Sequence, residues 1–327
     1  MSTVPDALRR RLLFLPLLGA AVSATAQPAA SPWPTQPVKI VVGFPGGSTP
    51  DVTARLVGEA LARRWGQPVV VENRPGASGD LAADLVAKAR DDHTLGVVIN
   101  GNLTSARLLK PRLPYDPSRD FAFVSLLATA PLVLATNVDK PAGAEFFAAA
   151  RAAGRGWSYG SPGIGTIAHL GMEVLMARAG MADAVHVPYA GNPAVITALI
   201  AGQVQMALMP PGIALAQAQA GKLRVVGVTG PRTPLAPGVE PLAALGVPVD
   251  DLEVWNALVG PASLGTAALE RLARDVPEVL REPELRSRMQ AAGFQPQGAP
   301  GETLRRRVEA ETQTLGAIIL AQGIRLE

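Results

Sequence analysis

The chain has 327 residues, with 30 Lys and Arg against 27 Asp and Glu, 4% aromatic residues and no cysteine. That length exceeds one ordinary core and favours two lobes, and the absence of cysteine excludes disulfides and a lipid-anchoring thiol. Scattered basic residues with few aromatics exclude a nucleic-acid platform, and the formal charge of +3 falls to about +1 once Arg9, Arg10, Arg11 and Asp6 are set aside with the N-terminal segment.

That segment has the grammar of an export signal. Arg9 to Arg11 form a basic region, Leu12 to Val22 an apolar run, and Ala24-Thr25-Ala26 a small-residue cleavage site, in the order that distinguishes a signal peptide from a buried helix. Residues 1–26 are expected to be removed, leaving a mature chain from near Gln27 in the periplasm. The arginines leave both Sec and twin-arginine export open. No later stretch approaches the roughly 18 uninterrupted apolar residues of a spanning helix.

Along the mature chain, strands and helices alternate. Strand-length apolar runs are predicted at Val38 to Phe44, Pro68 to Glu72 and Thr94 to Asn100, with helices at Asp51 to Trp65 and Gly79 to Arg90 between them. Apolar strands in that order imply a parallel sheet covered on both faces. The grammar recurs with strands at Leu132 to Asn137, Trp157 to Gly160, Ala184 to Pro188, Val204 to Met209 and Leu223 to Thr229. Helices are predicted there at Thr166 to Gly180, Pro193 to Gly202 and Gly212 to Gly221. After a strand at Val254 to Gly260 the chain turns helical, at Thr266 to Leu280, Glu282 to Ala292 and Glu302 to Gln322.

Ligands of open parallel sheets sit beyond the carboxyl ends of the strands, so the loops from strand to helix are the candidates. The first reads F-P-G-G-S-T-P-D: Thr49 suits an N-cap, Pro50 the first helical position and Asp51 the first turn, while paired glycines allow close backbone approach. The second, Ser161 to Thr166, repeats the device with Gly163 and Gly165, and the third has Asn192 as N-cap before Pro193. Uncovered first-turn N–H groups make such junctions anion receptors without charged side chains. Loops after Glu72 and Asn100 complete the rim. The candidate ligand-binding set is Pro45, Gly46, Gly47, Ser48, Thr49, Asp51, Asn100, Asn102, Ser161, Gly163, Gly165, Thr166, His169, Tyr189, Gly191 and Asn192.

Catalytic readings compare poorly with that one. Gly163 to Ala168 fits G-x-G-x-x-A with Asp183 downstream, but the preceding W-S-Y-G is short and polar and Asp183 precedes the next strand, against a dinucleotide site. Ser161 or Ser48 with His169 could be offered as a secreted hydrolase, yet no third orienting group is evident and capping explains Ser161. The three histidines, His93, His169 and His186, fit no zinc spacing. Asp51 and Glu72 open separate elements, and Trp65, Trp157 and Trp255 read as packing. No catalytic residue, metal or cofactor is expected.

Phe44 to Arg55, P-V-V-V-E-N-R-P-G-A-S-G from Pro68 to Gly79, Tyr159 to Leu170, and H-V-P-Y-A-G-N-P-A from His186 to Ala194 stand in the chain in that order. D-F at Asp120, A-G-Q-V-Q at Ala201 and W-N-A-L-V-G-P at Trp255 accompany them. Together they resemble the Bug family, the periplasmic solute-binding proteins of tripartite tricarboxylate transporters. The resemblance implies a two-lobed α/β, type II Venus-flytrap fold with a parallel-rich sheet in each lobe, residues 33–129 with 254–327 in one and 130–253 in the other. It implies a small organic carboxylate gripped by Pro45 to Thr49 on one side and Ser161, Gly163, Gly165 and Thr166 on the other, crossing segments near Ala128 to Pro131 and Leu252 to Val254, and a monomer that serves transporter membrane subunits or a sensor kinase. Ser48 departs from a usual second glycine, and Met209 stands where an acidic residue is common. A ligand ammonium would then lack its partner, which points to a carboxylate without an amino group, aromatic or dicarboxylic.

Overall fold

The chain builds its first sheet from apolar segments of strand length. Strand β1 (Val38–Val42) is buried except at Lys39 and leads into α1 (Thr49–Trp65), which stops at Gly66 in the left-handed region (φ 65°). β2 (Val69–Asn73), α2 (Asp80–Ala87), the fully buried β3 (Thr94–Ile99), short α3 (Asn100–Leu103) and α4 (Ser105–Leu109), and the long β4 (Phe121–Pro131) follow. The second half comprises β5 (Val133–Asn137), α5 (Ala144–Ala153), β6 (Ser158–Ser161), α6 (Ile167–Ala179), β7 (Val185–Pro188), α7 (Asn192–Ile200), β8 (Met206–Met209), α8 (Pro211–Gln219) and β9 (Leu223–Val228). The chain then returns through β10 (Glu253–Pro261), α9 (Thr266–Val279), α10 (Pro283–Ala291), β11 (Gln295–Pro300) and α11 (Gly301–Ala321). This computed structural model describes residues 33–181, 184–249 and 252–324; the expected export segment, its cleavage site and Asp183 lie outside the described residues.

The six-stranded sheet has the order β11-β4-β10-β3-β1-β2, and the five-stranded sheet β7-β6-β8-β5-β9. The expected parallel pairings are present, β1 with β2 and β3, and β6 with β7 and β8. Both sheets are nevertheless mixed, because β10 runs antiparallel to β3 and β4, β11 to β4, and β5 to β8 and β9. The cause is the double crossing: the chain leaves the first sheet along β4 and comes back beside it along β10, so outgoing and returning strands must run in opposite senses.

One side chain ties the crossing points together. Thr229 Oγ accepts from Leu132 N–H at 2.8 Å and donates to the Leu252 carbonyl at 3.0 Å, while Thr229 N–H donates to the Leu132 carbonyl at 2.8 Å. Behind the crossing, α11 is a brace: Glu311 accepts from Trp255 Nε1 at 2.6 Å and Asn100 Nδ2 at 2.8 Å, and Arg307 pairs with Glu253 at 2.9 Å. Trp255 and Trp157 are buried and Trp65 is half-buried against Trp33, as packing residues.

Helix starts differ from expectation by one residue. The caps are Ser48 and Gly191, so Thr49 and Asn192 are already helical; the Ser48 carbonyl takes the Val52 N–H and the Gly191 carbonyl the Val195 N–H. α3, α4, the long strand β4, α5 and the edge strand β11 have no counterpart among the predicted elements. β11 reads Q-P-Q-G-A-P, which carries loop punctuation, and it pairs with β4 through an irregularity between Pro296 and Ala299.

Asp275 is the buried joint between α1 and α9. It accepts from Trp65 Nε1 at 2.7 Å, Arg271 Nε at 2.5 Å and Arg274 Nε at 3.1 Å, with Arg64 Nε at 3.2 Å. Burial opposes its ionisation, but the donors of Trp65, Arg271 and Arg274 outweigh that and hold the carboxyl below its usual 3.8. The unfolded chain therefore takes the proton first on acidification, so this stabilisation is whole above about pH 4 and is lost as the pH falls toward the folded value. Asp275→Asn is expected to cost about 2 kcal/mol at pH 7 and to flatten the acid limb of urea titrations. An unchanged midpoint at pH 7 would remove the joint from this account.

Candidate functional site

Three helix starts converge on one small chamber. Ser48, Thr49 and Pro50 of α1, Thr166, Ile167 and Ala168 of α6, and Asn192 of α7 line a cavity of about 30 Å³ together with Phe44, Ile99, Leu132, Pro162, Pro210 and Val254. That is room for about two water molecules, or for the head of a carboxylate. No charged side chain is among the lining residues. The first-turn N–H groups of each helix have no preceding helical carbonyl to bond. Ser48 Oγ and Asn192 Oδ1, 1% and 5% exposed by residue, are buried without a partner among the described residues. Unpartnered buried polar atoms of this kind carry a desolvation cost of about 1–3 kcal/mol each, which a bound polar group would relieve.

The loops around the chamber are fixed by their own hydrogen bonds. In the first, Asp51 reaches back to Gly47 N–H at 2.9 Å and is itself held by Arg55 Nε at 3.0 Å and Asn73 Nδ2 at 2.8 Å. In the second, Thr166 Oγ donates to the Gly163 carbonyl at 2.8 Å and accepts from His169 N–H at 3.4 Å. Gly163 has φ 142°, and a Cβ there would stand 2.5 Å from Ser78 Oγ, so glycine lets this loop lie against the 76–79 turn. Ser105 Oγ donates to the Gly165 carbonyl at 2.6 Å, and Pro45 lies against Gly191, so the two halves touch on both sides of the chamber.

Outside the chamber, and sharing Phe44 and Pro162 with it, lies a larger compartment of about 340 Å³ that opens to solvent. Gly43, Gly76 to Gly79, Lys110, Gly163, Ile164, Pro188, Tyr189 and Ala190 form the rest of its wall.

The expected binding residues therefore separate by position. Ser48, Thr49, Thr166 and Asn192 line the chamber, Gly163 and Tyr189 the outer compartment, and Gly165 a neighbouring crevice beside Ser105. Pro45, Gly46, Gly47 and Gly191 line neither compartment, and Pro45 packs against Gly191. Asp51 caps its loop, and Asn100 braces Glu253 and Glu311 behind the crossing. Asn102 accepts from Ile99 N–H and donates to the Ser78 carbonyl and Asp80, so both asparagines act as supports. Met209, expected at the ligand's ammonium position, is buried in an apolar cluster with Val133 and Ala214, and Pro210 takes the chamber wall.

His169 also departs from expectation. It is 4% exposed beneath the second loop, where Nδ1 accepts from Gly165 N–H at 3.1 Å. The imidazole that meets Ser161 is His186, with Oγ and Nε2 2.7 Å apart. His186 stacks on His169 at 4.1 Å and on Tyr159 at 4.7 Å, and Tyr159 is bonded to Glu173. Ser161 is wholly buried, which leaves the alternative Ser161–His169 nucleophile pairing without either its geometry or access. No group of three His, Asp or Glu among the described residues could hold a metal.

Burial pulls His169 down to about 4, and burial with the neighbouring His169 pulls His186 down to about 3, against an ordinary 6.5. Between those values and 6.5 the unfolded chain binds more protons, so stability falls as pH falls through that window. His186→Gln is expected to reduce the slope of stability against pH by up to about 1.4 kcal/mol per unit in denaturant titrations from pH 6 to pH 4. An unaltered slope would mean that His186 titrates normally in the fold.

The sequence profile of the Tripartite tricarboxylate transporter family receptor, TctC, matches residues 53–324. The chain is 32% identical over 317 residues to the UPF0065 protein of the tcbD–tcbE intergenic region of Pseudomonas sp. strain P51, covering 95% of this chain and 94% of that one. It is 28% identical over 323 residues to BugT of Bordetella pertussis, covering 97% and 99%. Among solved structures, Rpa4515 of R. palustris with adipate is similar at a TM-score of 0.86 and 29% identity, over 90% of this chain and 99% of that one. MatC of Rhodopseudomonas palustris with bound malate is similar at 0.82 and 28%, over 88% and 100%. The two α/β halves have the periplasmic-binding-protein fold, no helix among the described residues is long and apolar enough to cross a membrane, and the neighbours are binders of solutes and not enzymes. The chain belongs to the tripartite tricarboxylate transporter receptor family, that of TctC and the Bug proteins.

Proposed function

We propose that this receptor captures a small organic carboxylate without an amino group between its two lobes and delivers it to the membrane subunits of a tripartite transporter. The observation that carries the reading is the chamber itself. Three buried helix starts and an unpartnered Ser48 hydroxyl offer dipoles and donors to one anionic group, with no side-chain charge to neutralise it. Each helix end contributes about 0.3–1 kcal/mol toward an anion. The adipate and malate in the related structures are carboxylates of this size class.

In this reading Pro45 to Thr49, Gly163 to Thr166 and Gly191 to Asn192 form the gripping loops. Residues 33–129 with 254–327 move as one body and 130–253 as the other, about the segments joined by Thr229. The mature monomer starts near Gln27 in the periplasm, and closure of the lobes marks the loaded receptor for the membrane subunits.

A thermal-shift screen of the mature protein against mono- and dicarboxylates, aromatic acids and amino acids tests this. A ligand at about one hundred times its dissociation constant adds about 2.7 kcal/mol, a clear rise in melting temperature. Stabilisation by a carboxylate that is recovered unchanged is expected, and glutamate and aspartate should give none, because no acid lines the chamber. Equal shifts with glutamate and its des-amino analogue glutarate would overturn the ligand class.

A further inference from the structure

We propose that the outer compartment is a second subsite, which takes the far carboxylate of an elongated dicarboxylate, and that Lys110 is its specificity-determining residue. This rests on the reading that the inner chamber takes the first carboxylate.

Size separates the two compartments. The inner chamber, at about 30 Å³, holds a carboxylate head and little else. The outer one, at about 340 Å³, lies within the roughly 300–1,000 Å³ of small-molecule sites and adjoins the chamber across Phe44 and Pro162. A ligand anchored at the inner helix starts must therefore lay its body in the outer compartment. Phe44, Pro162, Ile164, Pro188 and Tyr189 give that body apolar and flat surfaces.

Charge then sets what the far end can be. Lys110 is the charged side chain on the outer wall among the described residues, and no acid lines that wall. Its ammonium has three donors; one meets the Ala77 carbonyl at 2.9 Å and one is bonded to Asp80. The third has no partner among the described residues, and the side chain is 22% exposed. Asp80 is in turn satisfied by Tyr115 Oη at 2.8 Å and Asn102 Nδ2 at 2.8 Å, so it does not depend on the lysine alone.

The wall that Lys110 holds is strained. Ala77 and Ser78 both sit in the left-handed region, at φ 50° and 60°, although neither is glycine. Such residues persist where surroundings over-determine them, and they concentrate at ligand clamps. Lys110 on Ala77 and Asn102 on Ser78 supply that determination and set the ammonium at the edge of the compartment.

Isothermal titration with adipate and its monomethyl ester tests the assignment, because the ester keeps one carboxylate and replaces the far charge with a neutral methyl ester, with hexanoate as the control for its added bulk. The wild-type receptor is expected to prefer adipate by roughly five- to tenfold. That ratio should fall to about one in Lys110→Gln and be restored in Lys110→Arg. Equal binding of diacid and ester by the wild type, or a preserved ratio in Lys110→Gln, would overturn the proposal; the first comparison decides it even if that variant does not fold. If neither compound nor hexanoate binds, the inner-chamber reading itself fails and the second subsite goes with it. If the ester and hexanoate bind as well as adipate, the inner reading stands and only the second subsite is lost.

Discussion

A helix cannot bond its own first N–H groups, and in this receptor three helices bring that deficit to one place. The starts of α1, α6 and α7 meet around a chamber with no ionic side chain. Everything nearby serves to hold those starts still. Asp51 closes the first loop, Thr166 and His169 tie the second, and Pro45 against Gly191 sets the approach of the first loop to the third. The chamber presents backbone N–H groups to its interior, and side chains mainly fix that backbone.

The support extends outward in layers. The His169–His186–Tyr159 stack lies under the second loop and stays neutral, so it supplies acceptors and packing without a competing charge. Behind the crossing, the Glu311 carboxyl is pushed upward by burial while Trp255 and Asn100 donate to it and Arg307 opposes the shift. Thr229 joins both crossing segments through a single hydroxyl and its own amide.

Much of this was legible in the sequence. Apolar runs such as V-K-I-V-V announced strands, Gly66 and Gly180 marked helix ends, and the G-G-S-T-P-D and S-P-G-I-G-T junctions stand in loops that line the inner chamber. What local pattern could not carry was partnership across distance. Asn100 and Asn102 occur in a plausible rim segment, yet their side chains bond Glu311 and Asp80, far away in sequence or hidden below the surface. His169 lies one turn into its helix in either case, and only the packing of β7 shows that His186 is the imidazole beside Ser161. Lys110 stands in a run without a motif, and β11 is written in residues that usually make loops. The antiparallel strands followed from the double crossing, which a reading of successive elements does not reveal.

Proline is common in this chain, at 30 residues, and Pro50, Pro162, Pro188 and Pro210 all stand on the walls of the two compartments. A proline has one backbone torsion already set, so these walls surrender little conformational freedom when a guest arrives. The same stiffness removes the option of remoulding around a poorly fitting one. Such a rim favours discrimination by refusal, in which a wrong solute is excluded because the wall does not yield, and affinity for the right one need not be spent on ordering the receptor.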